Sequence, residues 1–521
     1  MGSRLPIVYV RGFAGGTKGI NAAVDDPLYG FNDGSTHVRV GRSGDPLFYQ
    51  FESPLLRLMI DHGYELIVKG NQRAWLERQQ DGTVPQHTVW IHRFYDVSAS
   101  TFGEKPQAFT PERAASDLLE LIELLQRKTG APRVHLVAHS MGGLICRCLL
   151  QKIIPEREGP DGKRAIDYVD RLFTYATPHG GITFDVGFGL FERLRDELGI
   201  GGGDIFGPER MYQYLTPNPG RRPPEGWKPN VVPDSDFPRE RIFTLIGTNP
   251  ADYDVGLGVP SKVVGAKSDG LVQIENAYVP GAKFAYVHRS HSGRYGIVNS
   301  EEGYQNLRRF LLGDLEVNAE FVRLELPDEV GGDDIVWQAE AELAVRGLPI
   351  LLHQAVAAHH CPINLELPKG SADNPVPLVT TFLLADASQR PAADEPARYT
   401  LHLRILSLRE RRGGIFDFRD HLEQTADFDD VLVVDVGSVG DALAAWAVWS
   451  SQLDVPLREY KPSGPPLTDQ EPRPGEWIAE VPLPDTARAF LGQRAAVRLR
   501  VSDRGDAGRT GLRGTAPAGS V

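Results

Sequence analysis

Ser140 stands where a buried strand would run directly into a helix: Val134-His135-Leu136-Val137-Ala138-His139 precedes it and Met141-Gly142-Gly143 follows. A strand–turn–helix of this kind projects a serine hydroxyl above the edge of a sheet. Small residues are required at 138 and 142, because the turn is tight and the strand and helix approach closely. A serine hydroxyl is a weak nucleophile until a base removes its proton, so a histidine and an orienting carboxylate are needed. Downstream, the Asp-Gly turn of Lys267-Ser268-Asp269-Gly270-Leu271-Val272 offers Asp269 on a loop beyond an apolar run at Val263-Val264. Twenty-two residues later, Tyr286-Val287-His288-Arg289-Ser290-His291 offers two histidines. His291 is the expected base, because it lies on the loop rather than at the strand end; His288 is the alternative.

Acyl chemistry also needs donors for the negative charge that develops on the carbonyl oxygen. The Met141 amide opens the helix after Ser140 and would point at that oxygen. A second amide is expected from the turn Arg11-Gly12-Phe13-Ala14-Gly15-Gly16, which closes an apolar run, and Phe13 is the residue assigned to it. The same turn lacks the G-x-x-x-x-G-K-[ST] pattern of a phosphate-binding loop.

These residues need a scaffold, and the first 315 residues predict one. Strand signals at Leu5–Val10, Tyr64–Val68, Val89–Phe94, Val134–Ala138, Leu172–Ala176, Ile242–Ile246 and Phe284–Val287 alternate with helical ones. The helices are read near Ser53–Asp61, after Thr110-Pro111, from Met141 to Ile153, and over Glu301–Leu312. Alternation of this kind implies a mostly parallel sheet covered on both faces. Two segments interrupt it. Asn21–Pro46 reads as a loop. Residues 183–239 read as a lid-like insertion, with Phe184, Phe188, Phe191, Leu194 and Leu198 at helical spacing. That stripe either packs on the core or covers an apolar acyl pocket.

Beyond residue 315 the pattern alternates apolar and polar over Val317–Leu326, Ile335–Val345, Pro377–Leu384, Tyr399–Leu408 and Ala495–Val501. Together these predict an antiparallel β-sandwich over residues 316–502 and a disordered tail over 503–521. His359-His360-Cys361 carries no evident metal set, since adjacent histidines in a strand point to opposite faces. Asp427, Asp429 and Asp430 lack EF-hand spacing and read as a solvated turn.

Composition fits this division. The 521 residues exceed what one core organises, and two or three domains are expected. The 55 glycines and 39 prolines exceed the usual combined share of about 12%, which argues against a helical bundle. A net charge of −13 disfavours nucleic acid and anionic membranes as partners. Three cysteines build no disulfide framework, and no apolar run reaches the length of a membrane span. No signal peptide is visible, so a cytoplasmic protein is expected unless the chain is a trimmed mature form.

Taken together, RGFAGG after the first strand, AHSMGG around Ser140, ATPHGG at Ala176–Gly181, SDGLV at Ser268–Val272 and SHSG at Ser290–Gly293 resemble α/β-hydrolases of the lipase and esterase type. The first turn departs from many such lipases in having Arg11 where they have His. The resemblance covers the N-terminal 310 or so residues. It implies Ser140 as nucleophile, Asp269 as acid, His291 as base, and Phe13 and Met141 as oxyanion donors. The expected activity is hydrolysis of a small-molecule or lipid carboxylic ester with an aliphatic acyl chain, with no cofactor and no metal. An amidase, thioesterase or acyltransferase would use the same residues. A binding protein with a silent hydrolase core is the alternative of another class.

Overall fold

A computed structural model of the chain describes residues 4–12, 24–96, 109–182, 205–251, 266–326 and 329–504, less residues 27, 33, 41–44, 68–70, 160, 161, 294, 331, 332, 366–372, 385–395, 411–421, 440 and 441. Phe13, the Phe184–Leu198 stripe, Val263-Val264 and nearly all of the C-terminal tail lie outside the described residues. The chain divides into two compact units, residues 3–311 and residues 312–521 with the first two residues.

The first unit runs, in chain order, β1 (Ile7–Val10), β2 (Ser35–Val40), β3 (Pro46–Phe51), α1 (Pro54–His62), β4 (Glu65–Leu66), α2 (Gln72–Glu77), β5 (Thr88–His92), α3 (Pro111–Thr129), β6 (Val134–His139) and α4 (Met141–Cys148). It continues through α5 (Ile154–Glu158), α6 (Ala165–Tyr168), β7 (Val169–Tyr175), α7 (Pro208–Leu215), β8 (Ile242–Gly247), β9 (Lys283–Val287) and α8 (Glu301–Leu312). Seven strands form one sheet in the order β4-β5-β1-β6-β7-β8-β9. All of its pairings are parallel. Burial explains the composition of the strands: Ile7–Val10, Thr88–His92 and Ile242–Gly247 are buried at every position, which requires apolar cover on both faces.

Capping explains the helix ends. Thr110 accepts from the Arg113 amide, Pro111 opens α3, and Gly130 at φ 67° closes it. Ser53 caps α1 in the same way. The continuous helix expected over Met141–Ile153 is instead α4, a π-helical turn over Leu149–Ile153, and then α5.

One further expectation needs correction. Asn21–Pro46 is not simply a loop: β2 lies within it and pairs antiparallel with β3. A stretch rich in Gly and Asp hides β2, whose partner β3 begins where that stretch ends. The described part of the insertion read over 183–239 contains α7. α7 packs against α4, and Arg210 holds Glu112 of α3 through two bonds of 2.6 and 2.7 Å.

The second unit contains β10 (Leu315–Val322), β11 (Glu329–Val330), β12 (Asp333–Val345), β13 (Leu351–Ala355), β14 (Ile363–Asn364), β15 (Val376–Leu383), β16 (Ala397–Glu410), β17 (Leu422–Val439), β18 (Ala442–Trp449), β19 (Glu476–Pro482), α9 (Asp485–Leu491) and β20 (Ala496–Asp503). One antiparallel sheet has the order β15-β10-β20-β19; the other is built on β11-β12-β16-β17-β18, with β13 and β14 on β12. Residues of both sheets, among them Phe321, Leu401, Leu432, Trp449 and Trp477, share one apolar core, as in a β-sandwich.

Here too the sequence reading needs correction. Asp427, Asp429 and Asp430 are not a solvated turn but part of β17. The pairing of β16 with β17 slips at Asp427, whose carboxylate accepts the Ser407 amide in place of a strand partner. Asp430 is buried and accepts from the hydroxyls of Ser450 and Ser451. His359 and His360 lie not in a strand but in a 3-10 turn, with His360 at φ 58°. Among the described residues no helix is long and apolar enough to cross a membrane.

Candidate active site

β6 ends at His139, and Ser140 turns the chain into α4 with φ 54° and ψ −130°. A side chain at positive φ costs about 1–3 kcal/mol, so the surroundings must hold it there. Three bonds do so. The Ser140 amide donates to Tyr175 O at 2.9 Å. Its carbonyl accepts from Thr177 Oγ1 at 2.9 Å and from the Gly143 amide at 3.0 Å.

Close approach explains the neighbouring glycines. A Cβ on Gly142 would lie 2.3 Å from Val10 O, and one on Gly12 would lie 2.5 Å from Ser140 Cβ. The end of β1 and the start of the following turn therefore pass directly beside the serine. Arg11 is held there by a bond to Tyr29 O.

Asp269 and His291 reach Ser140 from the loops that precede and follow β9. His291 Nε2 lies 2.9 Å from Ser140 Oγ, and Nδ1 lies 2.9 Å from Asp269 Oδ2. All three residues are at most 5% exposed, so little water competes for these bonds. The second carboxylate oxygen of Asp269 accepts the amides of Leu271 and Val272 at 3.0 and 2.8 Å. Both oxygens are thus committed, and the one facing Nδ1 accepts its proton. That assignment leaves Nε2 with a lone pair toward the serine hydroxyl. The loops are themselves tied together, since the His291 amide donates to Asp269 O at 2.9 Å.

The structure therefore brings Ser140, Asp269 and His291 together and leaves His288 apart. His288 is exposed, and its Nδ1 faces Thr248 Oγ1 at 3.4 Å. Met141 is the first residue of α4, where amides have no partner within the helix. Phe13 lies outside the described residues, although Gly12 before it is in place.

Sequence reasoning passed over three residues around this centre. His139 enters the sequence reading only as the end of the apolar strand, yet its Nε2 lies 2.9 Å from His291 O. Arg147 is buried on α4 and donates to Gln151 Oε1, His179 O and Val231 O at 2.8, 3.1 and 3.1 Å. Burial pushes its guanidinium down to about 10. His179 is buried with Nε2 3.1 Å from Thr174 Oγ1, and burial holds it well below the ordinary imidazole value. An apolar helix carrying one arginine was the available signal for Arg147; nothing in spacing marked His139. Among the described residues no three His, Cys, Asp or Glu side chains converge as a metal set.

A parallel sheet in this strand order, with a serine elbow after β6 and the Asp and His loops flanking its last strand, is an α/β-hydrolase fold. No protein-family model matches the chain, and no curated protein matches it. Among solved structures, a lipase of Bacillus licheniformis in its mature form is similar at 15% identity, over 57% of this chain and 89% of its own, with a TM-score of 0.30. A gene product of Listeria innocua is 13% identical over 59% of this chain and 94% of its own, with a TM-score of 0.25. An extracellular α/β-hydrolase from a Paenibacillus species is 13% identical over 58% and 86%, with a TM-score of 0.20. At such scores these likenesses bear no weight; the fold rests on strand order and register.

Proposed function

We propose that the first unit hydrolyses carboxylic esters of aliphatic acids through an acyl-enzyme on Ser140. The observation that carries this reading is the position of His291, bonded at once to the serine hydroxyl and to a fully committed carboxylate. His291 Nε2 takes the Ser140 proton as Oγ attacks the ester carbonyl. The Met141 amide and the Phe13 amide hold the resulting oxyanion. Collapse breaks the bond to the alkoxy group, which leaves as the alcohol with the proton from His291. Water then attacks the acyl-enzyme and gives its proton to the same nitrogen; collapse breaks the bond from the acyl carbon to Ser140 Oγ, which takes that proton back as the acid leaves. Asp269 keeps the imidazole in the required tautomer and stabilises the imidazolium. Catalysis in this reading is confined to residues 1–315, with 183–239 as a cap over the acyl chain and 316–502 as a separate domain.

The test is a panel of p-nitrophenyl esters from acetate to palmitate, with matched amides and thioesters, on the wild type and on Ser140→Ala. Ester turnover should dominate and vanish in the variant. Preferred turnover of amides or thioesters would replace the ester reading. Unchanged turnover in Ser140→Ala would remove it.

A further inference from the structure

His139 is the last residue of β6, paired in register with Tyr175 of β7, so its backbone is set by the centre of the sheet. Its ring lies against that of His291, with centroids 5.0 Å apart and planes at 43°. Its Nε2 meets His291 O at 2.9 Å. A carbonyl oxygen only accepts, so Nε2 must carry the proton. Burial, the neighbouring His291 and the Arg11 guanidinium push the His139 imidazole down to about 3, against the opposing pull of the bond to His291 O; among the described residues these two side chains are the titratable or charged groups that act on it. The ring is therefore neutral at ordinary pH, with Nε2–H as its one donor.

The His291 peptide groups are thus gripped from two directions. The amide is tied to the acid loop through Asp269 O, and the carbonyl is tied to the strand that carries Ser140 through His139. The imidazole between them must reach Ser140 Oγ and Asp269 Oδ2 at the same time, both at 2.9 Å. Rotation of the His291 peptide would spoil one bond or the other. A neutral neighbour also suits the reaction, because a second cation at this distance would oppose the imidazolium that forms on His291.

We propose that His139 is a positioning residue for the base: a neutral Nε2–H donor that fixes the His291 backbone to the serine-bearing strand. The inference rests on the hydrolase reading above. A displacement of about 1 Å at a reacting group costs on the order of 100-fold in rate. His139→Phe keeps an aromatic ring against His291 and removes the donor. Its kcat for the best ester of the panel should fall about 10- to 100-fold, with KM within about twofold. His139→Gln places an amide N–H near the position of Nε2 and should recover most of the loss. A residue that served packing alone would be satisfied by Phe and not by Gln.

Both variants are compared at matched Tm. Wild-type kcat in His139→Phe, or equal losses in the two variants, overturns the proposal. Long-range 1H–15N spectra of the wild-type protein test it with no variant at all: His139 should hold the Nε2–H tautomer from pH 5 to 9, and an Nδ1–H tautomer overturns it. The hydrolase reading fails separately, by a wild type whose ester turnover is no greater than that of Ser140→Ala.

Discussion

Two buried arginines, Arg398 of the β unit and Arg147 of the first unit, are held differently. In the β unit Arg398 meets Asp435 directly across β16 and β17, with bonds of 2.8 and 2.9 Å and a third to Tyr460 O. The charge is cancelled within one strand pair, and the pair fixes the register of that ladder. In the first unit Arg147 donates to no carboxylate among the described residues. It spends its donors on a side-chain amide and on the carbonyls of two separate loops, one of them the His179 turn whose Thr177 supports Ser140. Burial pushes that guanidinium down to about 10, the mark of an uncancelled charge. Arg398 thus serves strand pairing, whereas Arg147 ties together loops around Ser140.

The largest effect expected from breaking this contrast lies at the base. His291→Ala should lower kcat about 10⁴- to 10⁶-fold, as loss of a member disarms a unit that acts together. Asp269→Asn should cost about 10⁴-fold, because an amide favours the wrong tautomer. His288→Ala should remain within tenfold of wild type, by a rough allowance for an exposed neighbour. Steady-state kinetics on one ester decide the ranking, and a reversed order of the two histidines exchanges their roles.

The next effect separates the arginines. Asp435→Ala leaves Arg398 buried without its carboxylate, and should destabilise the β unit by about 3–5 kcal/mol with little change in kcat. Arg147→Met replaces an uncancelled charge with apolar volume, so stability should change little, whereas kcat should fall as the His179 turn loses its anchor. Urea unfolding and kinetics on both variants check this. Equal stability losses would erase the distinction.

The smallest effect is common to both units. Burial pushes His92, in the first unit, and His353, in the β unit, down to about 4 from the ordinary 6.5. Between these values the unfolded chain binds the protons that the folded chain refuses. Stability is therefore complete above the unfolded value and falls as pH drops through the window. Lowering the pH from 8 to 6 should cut Tm by a few degrees, and His92→Gln or His353→Gln should flatten that slope.

The elements that carry the centre were legible because their signals are local. β6 is an apolar run that ends at a serine, and α3 announces both ends through Thr110-Pro111 and Gly130. Asp269 and His291 were singled out because a serine nucleophile needs a base and an orienting carboxylate, and both lie on loops downstream of it. β17 was missed because its aspartates mimic a turn; only the Ser407 amide and the hydroxyls of Ser450 and Ser451, all distant in sequence, make them strand residues. β2 and β19 were hidden in the same way by flanking Gly, Asp and Pro. His139 was invisible for another reason. Its partner is a carbonyl, and a main-chain acceptor leaves no trace in residue type.

The central claim is that His291 and Asp269 make Ser140 a nucleophile. Labelling with a fluorophosphonate, followed by peptide mass spectrometry, tests it most directly. The wild type should be modified once, on the peptide that carries Ser140, with Ser140→Ala unlabelled and His291→Ala labelled at least about 100-fold more slowly. Modification at another residue, or equal labelling of wild type and His291→Ala, would contradict it.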